Sequence, residues 1–110
     1  MRTITPSLPP AAARAIAQLG TDLSVARRRR RLTQAALAER MGASLSTVRR
    51  MEKGDERVPI QFYARALFLF GHIEALAHLL DPGDDDLGLA PPGEPLPRRV
   101  RATPPQSGES

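Results

Sequence analysis

An all-α fold of five short helices is what this 110-residue chain predicts, on three observations. Hydrophobic residues make up 41 % of it but aromatics only 4 %. The core must therefore come from Leu, Ala, Ile, Val and Met, which suits helices better than sheets. Apolar residues recur at spacings of three and four between residues 11 and 81, and helix caps and glycines punctuate the runs. The length is that of one domain.

Met1 to Pro10 holds three prolines and little apolar periodicity, so residues 1–10 read as a flexible arm. The first helix should open near Pro10, where proline is tolerated, and run to about Arg31 on the stripe Ile16, Leu19, Leu23 and Ala26, with Gly20 as its weak point. Thr33 is a good cap for a second helix, Gln34 to Met41, with Leu37, Ala38 and Met41 on one face. Gly42 then stops it, and Ser44 caps a third helix from Leu45 to about Lys53, closed by Gly54, that buries Val48 and Met51. Pro59 can open a fourth helix through Phe70, anchored by Phe62, Leu67 and Phe70 and ended by Gly71. A fifth, His72 to Leu80, completes a domain over residues 11–81. From residue 82 to 110 the composition turns to Pro, Gly, Asp and Ser, with too little apolar surface to offset chain entropy, so a mostly disordered tail is expected.

Charge is unevenly shared. Residues 1–57 carry 12 Lys/Arg against 5 Asp/Glu, whereas residues 58–97 carry 1 against 6. A basic half that coincides with a recognisable motif is the footprint of a phosphate-backbone binder. The chain has no cysteine, which removes disulfides and thiolate metal sites and fits a reducing, cytoplasmic setting. Apolar stretches such as Ala64 to Phe70 are too short to span a bilayer, and the start lacks a secretion signal's order, so a soluble, unprocessed protein with no membrane partner is expected. The chain lacks a Gly-rich phosphate loop, a nucleophile with a base, and a metal cluster; Asp84-Asp85-Asp86 lacks the spaced ligands of a calcium loop. No enzyme, cofactor or metal is expected.

Where two helices meet at about a right angle, residues at the crossing must be small and the turn must admit a positive φ. Ala38 meets the first demand and Gly42 the second, while Val48 and Met51 face back toward Leu37 and Met41. Ser44, Leu45, Ser46, Thr47, Arg49 and Arg50 are left to share the outer face and its N-terminal end, the part of a helix-turn-helix that enters a major groove. Arg57, in the loop ahead of Pro59, is a candidate for a phosphate or minor-groove contact. Solvated charge is the plain reading of Arg28 and Arg29.

The run Leu32-Thr33-Gln34-Ala35-Ala36-Leu37-Ala38-Glu39-Arg40-Met41-Gly42-Ala43-Ser44-Leu45-Ser46-Thr47-Val48-Arg49-Arg50-Met51-Glu52-Lys53-Gly54 resembles the lambdoid-repressor, or XRE-type, helix-turn-helix family over about residues 22–80. The resemblance implies a lambda-repressor-like DNA-binding domain. It implies that Gln34 touches a phosphate and supports the third helix, and that Leu45 and Ser46 stand at base-reading entry positions. Arg50, four residues beyond Ser46, could pair bidentately with guanine, whereas Leu45 offers only apolar contact, for example to a thymine methyl. It also implies a structural pair, Arg27 with Glu52, tying the first helix to the end of the third.

The ending Leu79-Leu80-Asp81-Pro82, Asp86-Leu87-Gly88-Leu89 and Leu96-Pro97-Arg98-Arg99-Val100-Arg101 is similar to that of HipB-like antitoxins, which pair with HipA-type kinases. That resemblance implies a homodimeric repressor of its own operon, bound to palindromic double-stranded DNA, with a HipA-like kinase as partner. A stand-alone or phage-type regulator and a protein-binding adaptor are the alternatives. The fourth and fifth helices, rich in Phe and Leu, are the expected dimer contact.

Overall fold

The computed structural model describes residues 7–84, 93, 95–100 and 102. Most of the arm and tail expected to be disordered lie outside the described residues. The described residues hold the five helices that the sequence predicts and no strand: α1 (Pro10–Arg29), α2 (Gln34–Met41), α3 (Leu45–Glu52), α4 (Ile60–Leu69) and α5 (Ile73–Ala77). The chain divides into two units, residues 1–79 and 80–110, and the helices belong to the first. In the second, Pro82–Asp84 forms a single 3₁₀ turn.

Local chemistry accounts for most boundaries. Thr33 and Ser44, both in extended backbone, accept hydrogen bonds from the amides of Ala36 and Thr47, each at 3.0 Å, and so start α2 and α3. The first four helices end in one motif, a six-to-one bond paired with a five-to-two bond around a residue of positive φ. At α2 the bonds run from Ala43 to the Ala38 carbonyl (2.9 Å) and from Gly42 to the Glu39 carbonyl (3.2 Å), with φ 69° at Gly42. At α1 the same pair runs from Leu32 to Arg27 (3.2 Å) and from Arg31 to Arg28 (2.9 Å), but the left-handed residue is Arg31, φ 58°. A side chain in that conformation costs about 1 to 2 kcal/mol.

The core is built from Leu23, Leu37, Ala38, Met41, Val48, Met51, Val58, Tyr63, Ala66 and Phe70. Leu37, Val48 and Met51 are its deepest large side chains. The predicted inward faces of α2 and α3 hold, and α4 adds Tyr63 and Ala66, which lie deeper than the predicted anchors Phe62 and Leu67. On α1 the predicted stripe is only partly right. Leu23 is buried, but Ile16 and Ala26 are half-buried and Leu19 is exposed. The closest approach uses the next row round, Ala17, Gly20, Ser24 and Arg27. A Cβ on Gly20 would lie 2.5 Å from the Met51 carbonyl oxygen and 2.9 Å from that of Glu52, and one on Gly54 would lie 2.8 Å from the Ala17 Cα. Gly20 is therefore the point where α1 crosses the end of α3, not a weakness in α1. α5 spans five residues rather than the nine predicted, because none of them is buried and no side chain caps its start.

Two substitutions should move stability in opposite directions. Arg31→Gly should stabilise by about 0.5 to 1 kcal/mol, since relief of the left-handed strain exceeds the added unfolded-chain entropy. Gly20→Ala should destabilise by about 2 kcal/mol or more, because the new methyl meets backbone that must shift. Denaturant midpoints measure both, and an unchanged midpoint for Gly20→Ala would remove the α1–α3 crossing from this description.

Candidate nucleic-acid interface

The outer face of α3 is set by what its inner face must bury. With Val48 and Met51 inside, Ser46, Arg49 and Arg50 stand exposed, Ser44 is exposed at the N-terminal end, and Leu45 is half-buried. Thr47 corrects the expectation that placed it among them: it is 7 % exposed. Its hydroxyl lies 2.9 Å from the Ser44 Oγ that also accepts its backbone N–H. Occupying the third position of the helix, it completes the cap instead of facing outward. What remains outside is a short polar entry edge followed by two arginines, a shape and charge that a DNA groove accepts.

Behind α3, three side chains from α1 and the start of α2 converge on Glu52. Arg27 Nε donates to Glu52 Oε2 at 2.6 Å and Nη2 donates to Oε1 at 3.0 Å, a two-pronged pair with side chains 11 % and 7 % exposed. Arg27 Nη1 also donates to the Leu32 carbonyl at 2.8 Å, and Gln34 Nε2 donates to Glu52 Oε1 at 2.9 Å. Burial pushes the Glu52 carboxyl up. Hydrogen bonds from Arg27, Gln34 and Ser24, with the Arg27 charge, bring it below the ordinary carboxylate value. The network joins α1, the start of α2 and the end of α3, so it fixes the angle at which α3 is presented. The expected pair of Arg27 and Glu52 is brought together, and Gln34 is placed to support α3.

Arg57, in the loop after α3, has its side chain 81 % exposed. Its guanidinium donates to both Asp55 oxygens at 3.1 Å, and these bonds, with the Arg57 backbone N–H at 2.9 Å, hold the Asp55 carboxyl down to about 2. Arg28 and Arg29 are exposed on the last turn of α1. Two arginines have roles that sequence reasoning missed. Arg30 donates to the Phe70 carbonyl at 3.0 Å and lies 4.6 Å over the Phe70 ring, and Arg65 donates to the Met41 carbonyl at 2.9 Å. Both stabilise helix ends. Their partners lie 40 and 24 residues away, so no local pattern announces them.

The domain also carries an open apolar groove of about 380 Å³, lined chiefly by Ile16, Val58, Ile60, Tyr63, Leu67 and Leu76. Among the described residues, no group of three or more His, Cys, Asp or Glu could hold a metal ion, and no helix is long and apolar enough to cross a membrane.

Residues 18–87 match the family described as "Helix-turn-helix domain". The match begins within α1 and runs past α5, so it contains all of α2, the turn and α3. No curated protein and no solved structure matches the chain.

Removing Glu52 should be costly without touching the outer face. Glu52→Ala strands the Arg27 guanidinium in a largely buried position, for which about 3 to 5 kcal/mol is the usual penalty. The pH dependence has a definite sign. A carboxyl lowered by folding contributes stability above the unfolded value of 4.5 and loses it as pH falls through the folded value. Acid titrations followed by circular dichroism should therefore show a fall in parent stability below pH 4.5, and Glu52→Gln should lack that component. A variant whose acid limb matches the parent's would remove the network from α3 positioning.

Proposed function

This chain belongs to the helix-turn-helix domain family, and on that footing we propose that it is a sequence-specific DNA-binding transcription regulator that places α3 in the major groove. The observation that carries the reading is the contrast between the two sides of α3: a buried, charge-neutralised mount behind it and Ser46, Arg49 and Arg50 exposed in front. In this reading Arg50 pairs with guanine, Ser46 and Leu45 meet base edges or a thymine methyl, and Ser44 and Arg49 meet phosphate. Gln34 spends one amide hydrogen on Glu52 and offers the second to a phosphate. Arg57 would exchange one Asp55 bond for a backbone contact.

One eight-residue recognition helix reads only a few base pairs, so the regulator acts as a homodimer on a palindromic operator. Support for a contact through α4 and α5 is the apolar surface left there: α5 buries no residue, and Ile60 and Phe68 on α4 are 67 % and 68 % exposed. The finer reading is an autoregulating repressor that serves as antitoxin to a HipA-like kinase. It rests on the resemblance of the ending and on Leu96 and Val100, 76 % and 80 % exposed on either side of Arg98 and Arg99, which offer apolar anchors beside charge.

Titrations of two ligands test both levels. Arg50→Ala should weaken operator binding by about 1 to 3 kcal/mol with an unchanged melting temperature. Removal of residues 82–110 should leave operator binding by each protomer's helices in place and weaken calorimetric binding of a HipA-type kinase encoded beside the chain. Full operator affinity in Arg50→Ala contradicts the readout; absence of any kinase binding reduces the function to that of a plain regulator.

A further inference from the structure

We propose that Arg65, which lies on α4 and outside every expected DNA contact, is a positioning residue that clamps the turn between α2 and α3 and so governs sequence discrimination; this rests on the DNA-reading function proposed above. The last carbonyls of a helix lack partners within it. At the end of α2 the carbonyls of Ala38 and Glu39 are taken by the amides of Ala43 and Gly42. The carbonyl of Met41, a buried residue at the start of the turn, is taken by Arg65 Nη1 at 2.9 Å.

The site is shaped for a guanidinium. A Cβ on Gly42 would stand 3.1 Å from Arg65 Nη1, so glycine serves the turn twice, through its φ of 69° and through the room it leaves. Arg65 is itself held in place: Nη2 donates to Gln61 Oε1 at 3.3 Å, and the guanidinium lies 5.7 Å from the centre of the Phe62 ring. A planar fork of five donors spans a carbonyl, an amide oxygen and a ring from fixed positions, whereas an ammonium is a single compact point charge. Its charge also sits at the negative end of the α2 dipole. Only Gly42, Ala43 and the cap Ser44 separate Met41 from α3. Any shift at Met41 therefore passes directly into the entry edge of the recognition helix, while the number of phosphate-facing charges is unchanged.

The test uses the full chain as Arg65→Met, Arg65→Lys and, as a control destabilised elsewhere in the core, Leu23→Ala. Native-state hydrogen exchange at the Gly42 and Ala43 amides should accelerate about tenfold in Arg65→Met beyond its global loss of stability, the scale of one charge-assisted hydrogen bond. Arg65→Lys should fall between it and the parent, and Leu23→Ala should change these amides only as much as the whole domain. With a duplex that the parent selects from a random pool, the ratio of selected to random-sequence affinity should fall about fivefold in Arg65→Met, with random-sequence affinity held within about twofold. Turn amides that exchange as in the control overturn the clamp. Equal losses on both duplexes, with a salt slope lowered by about 1, make Arg65 a phosphate ligand instead. A parent that selects no duplex refutes the DNA-reading function, and the exchange data then still decide whether Arg65 holds the turn.

Discussion

A carboxylate buried at the C-terminal end of a helix faces two penalties, lost hydration and the negative end of the helix dipole. Glu52 sits there with its side chain 7 % exposed, and the answer to its charge comes from outside α3: the Arg27 fork, the Gln34 amide and Ser24. Because those partners belong to α1 and the first turn of α2, neutralising Glu52 requires three segments to stand in one arrangement. Gly20 and Ala17 admit that arrangement by letting α1 approach the end of α3 to backbone contact. A recognition helix of eight residues has too little length to fix its own direction by packing alone, and this mount supplies what length does not.

The same economy explains how a chain with 16 Lys and Arg uses them. Arg27, Arg30 and Arg65 each place a guanidinium on a backbone carbonyl at or near a helix end, at Leu32, Phe70 and Met41 respectively. These charges work inside the domain. Those on the outer face of α3, together with Arg57 and the exposed last turn of α1, form the outward field. The arginines named thus form two populations, one holding the helices at their angles and one facing outward.

Much of this was legible because capping is local chemistry. Thr33 and Ser44 announce the starts of α2 and α3 within three residues, and Gly42 announces the turn. Periodicity fared less evenly. It put α1's buried row at Ile16, Leu19, Leu23 and Ala26, whereas small residues one step round, Ala17 and Gly20, make the closest contact; a hydrophobicity pattern is blind to a face selected for smallness. It placed Thr47 outside, although a threonine three residues after a serine cap can turn its hydroxyl back onto that cap. The Arg27–Glu52 pair came from family resemblance, not from spacing. Arg30 and Arg65 were invisible because each meets a carbonyl, and every residue carries one.

The claim that α3 is a DNA-reading helix on a rigid mount is tested most directly by titrating the ¹⁵N-labelled full chain with a duplex selected from a random pool. Amide and side-chain resonances should move at Gln34, from Ser44 to Arg50 and around Arg57, while the Arg27 Nε–H stays protected from exchange throughout, as a hydrogen bond to a buried carboxylate requires. Perturbations confined to α4, α5 or the residues beyond 80, with α3 unmoved, would contradict it.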